Sequence, residues 1–197
     1  RDTVGARLWG RRGAFRFDWT TARQSGDFGG RRIDAWGVFA AQSWQVSERG
    51  WRPRLTTRLD IASGASGPWE AGGFNPLYAS SNYLGEGQFL SLSNLVLATA
   101  GVSFAPTSGV AVTADYGLAY RQTERDAVYA GQARAYAGTR EQAGRFTGGV
   151  LRNGASLEAG HHTTLSLNFE RFDPGTALKA TGLESGSYGY VVAVFRY

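Results

Sequence analysis

Arginine and aspartate recur at alternate positions in several stretches of this chain, and that spacing is the first chemistry it offers. Arg16 and Asp18 bracket Phe17. Arg54, Arg58 and Asp60 alternate with Leu55, Thr57 and Leu59. Asp115 and Arg121 share the parity opposite Tyr116, Leu118 and Tyr120, and Arg152 alternates with Leu151 and Asn153. In an extended strand successive side chains point to opposite faces, so each set lies on one polar face with an apolar face behind it. A guanidinium is planar, permanently charged and pairs bidentately with carboxylate or phosphate. A row of them makes repeated sites for anions, and interleaved aspartates temper the affinity so that a solute can leave as well as enter. The competing use is mechanical, because Arg–Asp ladders across neighbouring strands also brace a wall.

Other reactive residues assemble into nothing comparable. His161 and His162 adjoin in a turn with no third ligand at metal spacing. Gly85-Glu86-Gly87 lacks the strand-to-helix context of a phosphate loop. No Ser/His/Asp set forms on one side of the strands. Neither enzymatic activity, a metal nor a cofactor is expected, and nucleic acid is not expected as a partner despite the net charge of +5.

The elements that carry these residues read as strands. Phe15, Phe17 and Trp19 oppose Arg16, Asp18 and Thr20. Trp51, Pro53, Leu55, Thr57, Leu59 and Ile61 oppose Arg52, Arg54, Thr56, Arg58 and Asp60. The same period recurs over 110–121, 144–158, 164–170 and 188–197. Residues 33–46 fit with Gln42 on the apolar face, and 89–104 are apolar on both faces near Leu95–Leu97. About nine strands result. Short connections fall at Gly10–Gly13, Ser47–Gly50, Ala105–Gly109 and Ala159–Thr163, and longer ones at 24–31, 63–87, 122–142 and 173–186.

Composition agrees with β structure. The 197 residues include 28 glycines and 13% aromatics, with no cysteine. No run approaches the roughly 18 apolar residues of a membrane helix. Mean hydropathy is -0.29, which a barrel alternating lipid-facing and lumen-facing residues also produces. Tight turns alternating with long loops, and strands of about 9–11 residues, fit an outer-membrane up-and-down antiparallel barrel. Trp9, Trp19, Trp44, Trp51, Phe104, Tyr120, Phe195 and Tyr197 fall near strand ends, where interfacial aromatic girdles are expected. The loop over 63–87 is long enough to fold into the mouth or pack over it. Nine is an odd count and a closed barrel is required in lipid, so the chain, one domain over 1–197, is expected to be an N-terminally truncated portion of a larger barrel.

Several segments in order resemble the alginate export family of outer-membrane proteins. They are Gly5–Gly13 (GARLWGRRG), Phe28–Trp36 (FGGRRIDAW), Pro53–Gly64 (PRLTTRLDIASG), Phe74–Tyr78 (FNPLY), Ser93–Leu95 (SNL), Ala119–Tyr129 (AYRQTERDAVY), Phe172–Gly182 (FDPGTALKATG) and the closing strand. The resemblance implies the C-terminal half of a barrel that passively conducts an anionic polysaccharide through a lumen lined by arginines and some acids. On matching strands these would be Arg54, Arg58, Asp60, Asp115 and Arg121. Arg16, Asp18 and Arg152 join them by alternation alone. The implied partners are anionic polysaccharide or small anionic solutes, outer-membrane lipid and periplasmic export proteins. The alternatives are an uptake porin and a soluble sugar-binding β-sandwich.

Overall fold

The computed structural model describes residues 1–67, 71–76 and 82–196. Pro68, Leu77, Tyr78 and Tyr197, which belong to the loop, the FNPLY segment and the terminal aromatic discussed above, lie outside the described residues. Nine strands form one antiparallel sheet: β1 (Asp2–Arg12), β2 (Phe15–Phe28), β3 (Arg31–Gln45), β4 (Arg54–Ala62), β5 (Leu95–Thr107) and β6 (Val110–Tyr120), followed by β9 (Phe146–Ala159), β10 (Thr163–Pro174) and β11 (Gly186–Phe195). Between β6 and β9 the chain makes a miniature hairpin of β7 (Tyr129–Ala130) and β8 (Arg134–Ala135). A single helical turn, α1 (Thr176–Lys179), sits between β10 and β11. Each sheet strand pairs with its predecessor, an up-and-down meander, and β1 and β11 are edges that do not meet. The sheet is an open arc, a portion of a barrel.

The arc is curled. Arg16 on β2 and Arg152 on β9 line one groove, although five strand spacings of about 4.8 Å separate them along the sheet. The concave side carries the polar set and the convex side the apolar one. Leu55, Leu59, Val112 and Leu167 are all exposed on the convex face, while Asp60 on the opposite face is wholly buried. This exposed apolar face on a single sheet replaces the β-sandwich alternative, which would have packed those leucines together. No described helix is long and apolar enough to cross a membrane.

Some boundaries differ from the sequence reading. The connection expected over 24–31 is a tight turn at Gly29 and Gly30, whose φ angles of 57° and 75° put both central residues in the left-handed region. Only glycine adopts that pair readily, and the resulting turn matches the twist of a hairpin. β2 and β3 therefore run 14 and 15 residues, longer than the hydrocarbon requires. Their extra length carries charge outside, where Arg23 pairs with Asp34 at 2.9 Å. Trp51 and Pro53 precede β4 rather than belonging to it, and Trp51 packs edge-on against Phe104 with centroids 6.2 Å apart. Trp9 is not a girdle residue. It lies directly across from Asp18, on the concave face, with the Arg7 guanidinium 5.3 Å from its ring. Gln42 does face outward, where it accepts from the Trp19 indole at 3.1 Å and donates to Thr57 at 2.8 Å. This three-strand ladder satisfies a polar group on an apolar face.

Residues 89–94 are not strand. They belong to the segment that leaves β4 at Ala62 and returns at Leu95, and the described residues of this segment at Phe74 and over 82–94 pack onto the concave face. Leu90, Leu95, Leu97, Ala119, Val128, Val150, Phe172 and Leu178 make one buried cluster there, and Ala35, Ala62 and Phe74 make another. The two-sided apolarity near Leu95–Leu97 follows: one side faces outward, the other faces the folded-in loop. Each large apolar side chain buried this way contributes roughly 1.5–3 kcal/mol. Replacing Leu59 or Val112 by Arg on the convex face is expected to weaken membrane folding by roughly 2–4 kcal/mol. Equilibrium refolding into lipid vesicles measures it, and an unchanged midpoint for both variants would contradict a lipid-facing convex side.

Candidate functional site

Cross-strand register aligns the predicted residues into two neighbouring rows on the concave face. Arg16 lies opposite Ser43, and the row continues through Thr56, Gly101 and Asp115 to Arg152 and Glu170. One step along the strands, Asp18 lies opposite Ala41, followed by Arg58, Thr99, Gly117 and Val150. Directly opposed residues share a face and lie within side-chain reach. Small side chains at Ala41, Ser43, Thr99 and Gly117 leave space, and the result is a groove of about 400 Å³ lined by Arg16, Asp18, Arg58, Asp115 and Arg152 among others.

The charges in the groove are partly spent. Arg152 donates from Nε to Asp115 at 2.8 Å and from Nη1 to the Leu84 carbonyl at 2.7 Å. Arg58 donates from Nε to Asp60 at 2.5 Å and from Nη1 to the Tyr83 carbonyl at 2.8 Å, while its guanidinium stacks 3.6 Å from the Tyr83 ring. The Tyr83 hydroxyl closes the set by donating to Asp60 at 2.8 Å. Two buried atoms on directly opposed residues of β4 and β5, Arg58 Nη2 and Thr99 Oγ1, have no hydrogen-bond partner among the described residues. Buried polar groups without partners cost about 1–3 kcal/mol each. Arg16 is exposed, and Asp18 binds Arg7 in two contacts of 2.8 and 2.6 Å.

Arg54 and Arg121 lie apart. Arg54 is further toward the short-turn end, donating to Gln45 at 2.9 Å. Arg121, just past β6, is wholly buried. Its guanidinium donates to the carbonyls of Gly144 at 2.7 Å, Thr139 at 2.8 Å, Asp126 at 3.4 Å and Gln142, so it organises the 121–145 loop instead of facing the groove.

Two residues central to this arrangement were not singled out from sequence. Tyr83 and Glu170 tie the inserted loop down. The Glu170 carboxylate, buried on β10, accepts from the backbone N–H of Glu86 at 2.7 Å and of Gly87 at 3.0 Å. A Cβ at Gly85 would lie 2.5 Å from a Glu170 oxygen, and its φ of +131° is a conformation L side chains rarely adopt. The Gly85-Glu86-Gly87 run is thus the segment that lets backbone amides reach a carboxylate. Alternation had put Glu170 on the polar face, but nothing local announced its partner 84 residues away. Between Arg58, Arg152 and Glu170 the loop crosses the concave face from β4 to β10.

The 121–145 loop is tied separately. Asp126, wholly buried, receives the Tyr129 hydroxyl at 2.9 Å. Burial, and then the Asp126 charge, push the Tyr129 hydroxyl up to about 12.

An exposed apolar convex face, a polar concave face and an inserted loop on one meandering sheet are the features of an outer-membrane β-barrel. The alginate export family model matches residues 1–192, and the chain belongs to that family. It is an outer-membrane family of polysaccharide transport channels. No curated protein matches the chain.

Glu170→Ala is expected to release the loop tip and raise single-channel conductance without abolishing barrel folding, read in planar bilayers; unchanged conductance would mean the loop is held without Glu170. Tyr129 should titrate near 12, as the ultraviolet difference between the wild type and Tyr129→Phe. Because its folded value is raised, its contribution to loop stability is complete below the ordinary tyrosine range of about 10 and is lost as pH climbs from there to about 12. A midpoint near 10 would show the hydroxyl free of Asp126.

Proposed function

We propose that this chain forms part of the wall of an outer-membrane conduit through which an anionic, alginate-like polysaccharide or small anions pass, with Arg16, Arg54, Arg58 and Arg152 as the binding groups of the path. The observation that carries this reading is the pair of adjacent rows on the concave face, where arginines from β2, β4 and β9 converge on one groove. Each arginine retains donors beyond those spent on aspartate, so a passing carboxylate finds successive partial sites and no single tight one. Asp60 and Asp115 hold the Arg58 and Arg152 guanidiniums in place and limit how strongly either retains its ligand, while Asp18 is occupied by Arg7. The Arg7–Asp18 and Arg152–Asp115 pairs are also the brace, since each joins adjacent strands and stiffens the wall.

In this reading the inserted loop narrows the path against Arg58 and Arg152, so the solute meets the charged rows at close range and without a wide water layer. Strands paired with β1 and β11 complete the barrel, because no backbone edge can stand open in lipid. Polysaccharide and lipid are the partners, together with periplasmic proteins that deliver the polymer.

Arg54→Ser combined with Arg58→Ser tests the reading. Folding, judged by heat-modifiable gel mobility, is expected to persist, while the anion-to-cation permeability ratio from reversal potentials falls by about twofold or more. An unchanged ratio, with block by polyuronate also unchanged, would remove these arginines from the path.

A further inference from the structure

A second cleft, of about 620 Å³, opens at the long-loop end of the sheet, apart from the groove. Arg1 and Arg31 reach it from the ends of β1 and β3, and Arg125 and Arg140 from the 121–145 loop; residues 65–67 help to wall it. The one carboxylate lining it among the described residues is Asp126, and that carboxylate is fully occupied. Its Oδ2 accepts from the Ala65 N–H at 2.8 Å. Its Oδ1 accepts from the Ala127 N–H at 2.8 Å, the Tyr129 hydroxyl at 2.9 Å and Arg140 Nη2 at 2.9 Å. An ionised carboxylate has about four lone-pair sites, so Asp126 has none left.

Among the described residues the other three arginines have no carboxylate partner. Arg1 donates one N–H to the Gln24 side chain at 2.7 Å, a neutral acceptor. Neither Arg31 nor Arg125 makes an ion pair among the described residues, and both are exposed. Guanidiniums held together in a concave, partly low-dielectric site focus a positive potential and raise the local concentration of anions. Arg31 follows the Gly29–Gly30 turn and Arg125 stands on a loop clamped by Arg121, so the backbone that carries each charge is set by the fold, while the exposed side chains are free to meet a solute.

We propose that this cleft is an anion-docking station at the long-loop mouth, taking the carboxylates of an acidic oligosaccharide through Arg1, Arg31 and Arg125. It acts in series with the groove and shares the anionic-sugar class of the proposed function, on which it rests in that respect. The groove offers partly compensated charge for passage; the cleft offers uncompensated charge for capture. It governs how often a chain engages from the long-loop side, not how fast the chain moves once inside. Headgroup phosphate of the outer leaflet is the other source of the same anionic chemistry.

The test uses the protein in planar bilayers of zwitterionic lipid, with a mannuronate oligomer added to one side at a time. Arg31→Ser combined with Arg125→Ser is expected to lower the blocking on-rate from the long-loop side by about fivefold or more. The on-rate from the short-turn side and the open-channel conductance should stay as in the wild type. Arg31→Lys with Arg125→Lys should recover much of the loss, which separates charge from loop misplacement. An on-rate from the long-loop side that changes by less than roughly twofold overturns the proposal while leaving the groove reading intact. Equal losses from both sides overturn it too. A wild type blocked from neither side removes both the station and the groove reading. If lipopolysaccharide in the facing leaflet abolishes loop-side block in the wild type, the cleft belongs to headgroup phosphate and the sugar assignment falls.

Discussion

Lipid leaves a backbone no water to bond with, and this one constraint organises the protein. Every strand between the two edges has neighbours on both of its hydrogen-bonding sides, through ladders that run nearly the full length of β2, β9 and β10, while β3 meets β4 over Gly37–Gln45 and the connecting segment at Arg32 and Trp36. Once the backbone is fully spent, the side chains divide into two sets by parity alone. The convex set must be apolar, as Leu55, Leu59, Leu165 and Leu167 are. All chemistry is left to the concave set. Convergence of Arg16, Arg58 and Arg152 on one groove is therefore a consequence of register: the strands could not pair in this way without bringing those parities together.

A polar concave wall alone would not define a narrow site. The described residues between β4 and β5 provide the second wall. Phe74, Leu90 and Leu92 anchor it by apolar burial against Ala35, Ala62 and Phe172, toward the long-loop end. Its tip is anchored by polar contacts to Arg58, Arg152 and Glu170. The division suits a channel. Apolar packing holds the bulk of the loop out of the way at the mouth, and hydrogen bonds hold the tip where the charged rows lie. It also explains why the concave faces of β3 and β5 carry Ile33, Ala35, Leu95 and Leu97 rather than charge: those positions face loop, not water.

The same arginine type serves four purposes in this chain, separated by what surrounds it. Arg121, enclosed, spends its donors on carbonyls and fixes a loop. Arg58 and Arg152 split theirs between an aspartate and the inserted loop. Arg23 pairs outward above the apolar belt with Asp34. Arg31 and Arg125 stand around a cleft whose acid is already saturated. Residue type sets the chemistry available, while burial and partner count decide which part of it is used.

Strand order and the division of most side chains into two faces were legible in the sequence, because period-two alternation is a local property that pairing can only preserve; alternation does not say which face is outermost, and aromatic placement and strand length supplied that sense. The rows containing Arg16, Asp18, Arg58, Asp115 and Arg152 followed from that parity. The Gly29–Gly30 turn was legible in principle from its two adjacent glycines, but the charged outer positions of β2 and β3 imitated a loop. Tertiary structure alone decided that Arg121 turns to carbonyls up to 23 residues away, that Trp9 stands beside Asp18, and that Glu170 captures the amides of Glu86 and Gly87. Those contacts join residues far apart in the chain, and their partners are mostly backbone groups, which every residue carries and no sequence pattern marks.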